Sequence, residues 1–213
     1  MAVLSSDSFT AYDRSAVTPG IGHIGVGGFH RAHQAMYLDA LMRQGEALDF
    51  GIVGLGVMPS DVRMRDALSG QDHLYTLTTK APDGAEDTRV IGSIIDYVFA
   101  PDDPAAAVAL LADPQIRIVS LTVTEGGCNI DNVTGQFVAD AGHIVHGRAC
   151  LRRGDYSELR TFFGLVTAAL AKRRAAGVAP FTVMSCDNIE GNGHVAARTF
   201  RAFADSVDVE LGQ

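Results

Sequence analysis

The chain has 213 residues, of which 47% are apolar and 20% charged, and a formal net charge of −8. That length and balance predict one large globular domain and exclude disordered and fibrous chains. The acidic surplus, with no cluster of Lys and Arg in any segment, speaks against a nucleic-acid partner, and the lack of a signal-like start or of about 18 consecutive apolar residues predicts a cytoplasmic protein off the membrane.

Residues 1–19 read as a polar, aperiodic extension, and Thr18-Pro19-Gly20 as the turn that opens a domain over 20–213. A buried strand is predicted over 21–26, then the glycine turn Gly25-Val26-Gly27-Gly28, then a helix over 29–43. A second strand over 50–55 and a helix over 61–68 complete a βαβ unit. Residues 73–79 and 89–100 predict a strand pair around the turn Ala81-Pro82-Asp83-Gly84. Asp102-Asp103-Pro104 predicts a capped helix reaching residue 112, and the β-branched run over 116–123 predicts a central strand. Residues 124–154 carry little pattern and read as loop or hairpin. A long helix is expected over 156–176, stopped by Gly177, with Lys172, Arg173 and Arg174 forming a solvated face at its negative end. A short strand over 181–186 and a helix over 193–204 close the pattern.

Strands with nearly continuous apolar runs, alternating with helices, predict an α/β fold: a doubly wound, mainly parallel sheet with a small hairpin insertion. Such sheets bind ligands beyond the carboxyl ends of their strands, where the strand order reverses. Four loops are thereby singled out, over 25–30, 54–61, 124–127 and 185–188.

The first of these loops holds Gly25-x-Gly27-x-x-His30, two thirds of a dinucleotide fingerprint. Gly25 permits the tight turn, Gly27 lets the backbone approach a diphosphate, and the amides of Gly28 and Phe29 open a helix whose start favours an anion. Arg31, one turn in, is within reach of a phosphate, whereas His30 and His33 are expected to pack or hydrogen-bond locally. Asp61 either accepts from a ribose hydroxyl or caps its own helix. Three cysteines at wide spacing, Cys128, Cys150 and Cys186, suggest reduced thiols, and Cys186 reads as a small core residue. His143 and His146 stand at i,i+3, and with no Cys or carboxylate read as near enough in sequence to complete a zinc set, no metal is expected.

The strings Ile24-Gly25-Val26-Gly27-Gly28-Phe29-His30-Arg31-Ala32-His33-Gln34, Gln71-Asp72-His73-Leu74-Tyr75-Thr76-Leu77, Val90-Ile91-Gly92-Ser93-Ile94, Ile118-Val119-Ser120-Leu121-Thr122-Val123-Thr124-Glu125-Gly126-Gly127 and Thr182-Val183-Met184-Ser185-Cys186-Asp187-Asn188 occur in this order. Together they resemble the mannitol dehydrogenase family of polyol-specific long-chain dehydrogenases, which includes mannitol 2-dehydrogenase and fructuronate reductase. The resemblance implies a Rossmann-type domain for zinc-independent hydride transfer between NAD, or its phosphorylated form, and a linear polyol or sugar acid. It implies a cofactor set of Gly25, Gly27, Gly28, Phe29, His30, Arg31, Asp61 and Thr124. It also implies that Asn188 donates to the substrate oxygen and that Glu125 moves a proton. In the family a second, helical domain supplies a lysine base, and that domain is expected to be absent from these residues. Two functions follow: an oxidoreductase domain that needs the lysine-bearing part, which could be separately encoded, or a non-catalytic dinucleotide-binding module.

Overall fold

The computed structural model describes residues 4–5, 9–123, 127, 129–131 and 133–212. Five strands form one sheet: β1 (Pro19–Ile24), β2 (Gly51–Gly56), β5 (Ile94–Phe99), β6 (Ile118–Leu121) and β7 (Thr182–Ser185), in the order β5-β2-β1-β6-β7. Every neighbouring pair is parallel. Such pairing requires a crossover between strands. These are supplied by α1 (Gly28–Ala32) and α2 (Gln34–Met42), α3 (Val62–Ser69), α4 (Pro104–Ala112), α5 (Gly142–Arg153) and α6 (Phe162–Ala175), and α7 (Asn192–Val207) follows β7.

The period-2 alternation of side chains divides the core into two. Ile21, Ile52, Ile94 and Tyr97 pack with Ala35 and Leu68 of α2 and α3 on one face. Ile24, Leu55, Val119 and Leu121 pack with Val108 and Leu111 of α4 and Leu165, Val166 and Ala169 of α6 on the other. Both faces of the central strands are therefore dry, which is why β1 and β2 read as unbroken apolar runs.

Sequence expectation and structure part in several places. The stretch over 89–100 is two strands in different sheets: β4 (Glu86–Ile91) pairs with β3 (Tyr75–Lys80) in an antiparallel two-stranded ribbon, and β5 joins the main sheet. The break falls at Gly92 and Ser93, where the Gly92 amide donates to Asp39 Oδ1 at 2.9 Å and the Ser93 hydroxyl donates to the Ala35 carbonyl at 2.6 Å. Residues 142–153, expected as loop or hairpin, form α5, which buries Ile144, Gly147 and Cys150 on one stripe. The long helix starts later than expected, at Phe162, because the Thr161 hydroxyl accepts from the Gly164 amide at 3.1 Å and caps it there.

Arg173 corrects the expectation of a solvated basic face. It is 3% exposed, lies over the Phe181 ring, and donates to the carbonyls of Ala112, Asp113, Ile116 and Ala179. One guanidinium thus ties the end of α6 to the α4–β6 turn and to the approach to β7. Arg174, its neighbour, is half-exposed and pairs with Asp208 at 2.9 Å.

Candidate coenzyme crevice at the strand carboxyl ends

All five strands point the same way, so the loops after Ile24, Gly56, Leu121 and Ser185 share one edge. The chain runs outward from β1 through β2 to β5, then returns to β6 on the other side of β1. The reversal lies between β1 and β6, where Gly25 and Thr122 meet: Thr122 Oγ1 donates to the Gly25 carbonyl.

Gly25 has φ +93°, and a Cβ there would overlap the Thr122 carbonyl. Its glycine is demanded by the fold. The next two are different: Gly27 is extended, with φ −94° and ψ −175°. A Cβ on Gly27 would meet only the Gly25 carbonyl at 3.8 Å, and one on Gly28 would meet nothing within 4 Å. The amides of Gly28, Phe29 and His30 form the first turn of α1 and have no helical carbonyl behind them. The turn is thus an open cradle of backbone donors.

One cavity adjoins this turn and a second opens beside it. One of about 280 Å³ is lined by Gly25, Val57, Met58, Asp61, Thr122 and Phe162. A second of about 550 Å³ shares Val57 and Met58 and continues past Pro59 and Pro101 to Glu158 and Arg160. Asp61 borders the first cavity, and its Oδ2 accepts from the Val57 and Met58 amides at 2.9 Å each. That carboxylate holds the loop after β2 in shape and retains Oδ1 as an acceptor. Arg31 turns toward α3, donating to the Val26 carbonyl at 3.3 Å and lying over the Tyr75 ring. Asn188 is exposed in the loop after β7. Asn192 pins that loop by donating from Nδ2 to the Ser185 and Asp187 carbonyls at 3.2 and 2.9 Å. Thr124 and Glu125 lie outside the described residues.

Beneath the turn lies a histidine pair that the sequence does not announce. His23 and His30 stack with ring centroids 3.4 Å apart and are both buried. His23 Nε2 is 3.1 Å from the Gly25 carbonyl, which only accepts, so the proton sits on Nε2. Nδ1 lies 2.7 Å from Ser120 Oγ, which also stands 3.1 Å from Gln34 Oε1 and has one proton to give to either. Among the described residues, neither ring nitrogen of His30 has a hydrogen-bond partner. The Gln34 side chain approaches without reaching hydrogen-bond geometry.

Burial pushes the His30 imidazole down to about 4. Burial, then the neighbouring His30, holds His23 well below the usual imidazole range. Both rings are neutral in the folded chain, whereas in the unfolded chain they bind protons as pH falls below about 6.5. Unfolding therefore takes up protons in the acid range. Stability is expected to fall from about pH 6.5 to about pH 4, the His30 part amounting to up to about 3 kcal/mol. Urea unfolding across this range checks the sign, and His30→Leu should flatten the slope.

On the opposite side of β1, an apolar groove of about 680 Å³ is lined by Ile21, Ile118, Met184, Cys186 and Leu38, with Phe29, Tyr37 and Leu41 exposed at its margin. The Cys186 thiol, raised by burial and then by Asp187, is a weak nucleophile. No described helix is long and apolar enough to cross a membrane.

Residues 19–211 match the family model described as the mannitol dehydrogenase Rossmann domain. Mannitol 2-dehydrogenase of Cereibacter sphaeroides is 48% identical over 208 residues, covering 94% of this chain and 41% of that protein. The polyol:NADP oxidoreductase of Gluconobacter oxydans (strain 621H) is 44% identical, covering 95% and 41% respectively. Among solved structures, Pseudomonas fluorescens mannitol 2-dehydrogenase in ternary complex with NAD and D-mannitol is 47% identical with a TM-score of 0.89, covering 99% of this chain and 41% of that chain. D-sorbitol dehydrogenase in substrate-free form follows at 40% identity and a TM-score of 0.87. The chain spans about 41% of the length of most of these relatives.

Proposed function

The chain belongs to the mannitol dehydrogenase family, and from that premise we propose that it binds NAD in the crevice between β1 and β6 and serves hydride transfer between a linear polyol, mannitol foremost, and its ketose. The observation that carries the proposal is the pair Gly27 and Gly28, where the fold itself leaves room for a side chain and the sequence places none. Backbone that approaches a diphosphate needs that space. The cavity beyond Val57 and Met58 suits the adenosine end, with Asp61 Oδ1 available to a ribose hydroxyl.

The nicotinamide, when bound, supplies or accepts the hydride. The residues of the chain bind and orient: the Gly28 and Phe29 amides hold the diphosphate, Thr122 braces the Gly25 turn, and Arg31 braces the loop below it. Asn188, exposed beyond β7, donates to the substrate oxygen as negative charge grows there, and Glu125 moves the proton, a role resting on the family resemblance alone. The His30 ring serves packing, so its contribution to the coenzyme comes through its backbone amide. The apolar groove beside β6 and β7 would seat the lysine-bearing part of the family's architecture, whether continuous with this chain or separately encoded. These 213 residues by themselves are then expected to bind coenzyme and turn over slowly.

The test is graded substitution at Gly27. Its extended backbone accepts any residue, so Gly27→Ala and Gly27→Val should cost at most about 1 kcal/mol of stability as helix N-cap changes. NADH affinity, followed by fluorescence titration, should nevertheless fall about tenfold for alanine and further for valine, the equivalent of about 1.4 kcal/mol or more. Unchanged affinity in both variants would place the dinucleotide elsewhere. A purely nucleotide-binding role predicts tight NADH binding and no oxidation of mannitol even with the relatives' remaining portion supplied in trans.

A further inference from the structure

The i,i+4 spacing puts His146 and Cys150 on one face of α5, and the loop after α5 brings Glu158 against them. We propose that His146, Cys150 and Glu158 form a binding site for a zinc-class transition metal, separate from the glycine turn that holds the coenzyme.

The geometry is close to that of a bound ion. His146 Nε2 is 3.5 Å from Cys150 Sγ and 3.8 Å from a Glu158 carboxylate oxygen, and all three donor atoms lie within 4.8 Å of one another. In a tetrahedral site with metal–nitrogen distances of about 2.0–2.1 Å and metal–sulfur of about 2.3 Å, donor atoms stand roughly 3.3–3.7 Å apart. Glu158 is exposed, so a rotation of its side chain closes the remaining gap. The Glu158 carbonyl, 3.0 Å from Nε2, offers a further oxygen at the same point. Sequence spacing from the His143–His146 pair concealed this set, because the productive partners are Cys150 one turn onward and Glu158 beyond the helix, while His143 is exposed.

A thiolate, an imidazole and a carboxylate select zinc and its chemical relatives over magnesium or calcium, which take oxygen ligands alone. On binding, the Cys150 thiol proton leaves to solvent and its sulfur electron pair forms the metal bond; His146 Nε2, which donates to the Glu158 carbonyl in the metal-free chain, loses that proton to solvent while Nδ1 takes one up, so that the Nε2 lone pair can coordinate. The competing cation is Arg153, whose Nη2 lies 3.7 Å from Cys150 Sγ. Arg153 is itself an exposed residue, free to swing into water when the metal arrives. Glu158 also lines the larger cavity together with Met58 and Pro59, so a bound ion would fix the loop that walls it.

Cobalt(II) added to the untagged protein is the direct probe. One equivalent should bring up a thiolate-to-cobalt charge-transfer band and four-coordinate ligand-field bands, both displaced by zinc. Cys150→Ser should lose the charge-transfer band, while His146→Gln and Glu158→Gln, which leave the buried core intact, should weaken cobalt binding about tenfold or more. A double variant, Cys128→Ser with Cys186→Ser, should keep the spectrum. Zinc should raise the Tm of the parent and not that of His146→Gln. Absence of the band in the parent, its survival in Cys150→Ser, its loss in the double variant, or equal affinity in His146→Gln and Glu158→Gln would each overturn the assignment.

Discussion

Gly25→Ala is expected to lose coenzyme binding and a large part of its folding stability together. At φ +93° an L side chain is strained by about 1–3 kcal/mol before any contact is counted. The new Cβ would also be driven into the Thr122 carbonyl, which is main chain and cannot rotate away. Relief requires β1 and the segment after β6 to separate, breaking the Thr122 bond to the Gly25 carbonyl and loosening the bond from His23 Nε2 to the same atom. A total cost of about 3 kcal/mol or more follows, within the range reserved for strained or overpacked core sites. Urea unfolding should show a lower midpoint at an unchanged slope, and NADH titration should show no saturable binding. The comparison with Gly27→Ala is informative, since that variant should lose affinity while keeping stability. If Gly25→Ala unfolds like the parent, the described conformation of the turn is wrong.

The second large effect is expected at Arg173→Met. Its guanidinium donates to four carbonyls, at Ala112 on the last residue of α4 and at Asp113, Ile116 and Ala179 in the turns beyond the ladders. Methionine fills similar volume over Phe181 but leaves the Ala112, Ile116 and Ala179 oxygens without this donor, at about 1–3 kcal/mol for each one left buried and unpaired, while the Asp113 oxygen keeps the Ile116 amide. Water will reach some of them, so a loss of about 3 kcal/mol is expected, near the low end of what removal of one partner from a buried charged network costs. For a domain of this size that lowers Tm by roughly 10 °C, measurable by calorimetry. Arg173→Lys should recover less than half of it, because an ammonium cannot span four acceptors in the plane of a fork. The neighbouring Arg174→Met, which breaks one exposed ion pair, should cost under about 1 kcal/mol.

Those neighbours show where sequence reading stopped. Lys172, Arg173 and Arg174 are alike as a basic run at a helix end, and only the packing of α6 against the α4–β6 turn decides that the middle one is buried. The parallel sheet was legible, because β1, β2 and β6 are apolar on both faces and the glycine turn follows the first of them. α5 was not legible: it contains two glycines and five arginine or histidine side chains, and it is a helix because Ile144, Gly147 and Cys150 pack inward. Ile144 does so against Phe163 of α6 and Phe203 of α7. The division of residues 89–100 between two sheets depends on Asp39 and Ala35, more than fifty positions earlier. At the crevice, the glycines and Asp61 could be read from their spacing, whereas the His23–His30 stack could not. His23 sits within an apolar strand, and its partners Ser120 and Thr122 lie about a hundred residues away.

That last separation bears on how the molecule is made. The strand at the middle of the sheet is the first to be synthesised, yet the partner that covers its second edge, aligned with His23 at Ser120, comes 97 residues later. At about 5–20 residues per second, the nascent chain carries one bare edge of its central strand for roughly 5–20 seconds. Throughout that interval the seam meant for Ser120 and Thr122 is open to any other extended peptide, so the slow, vulnerable stage of biogenesis falls before the ribosome has passed residue 121.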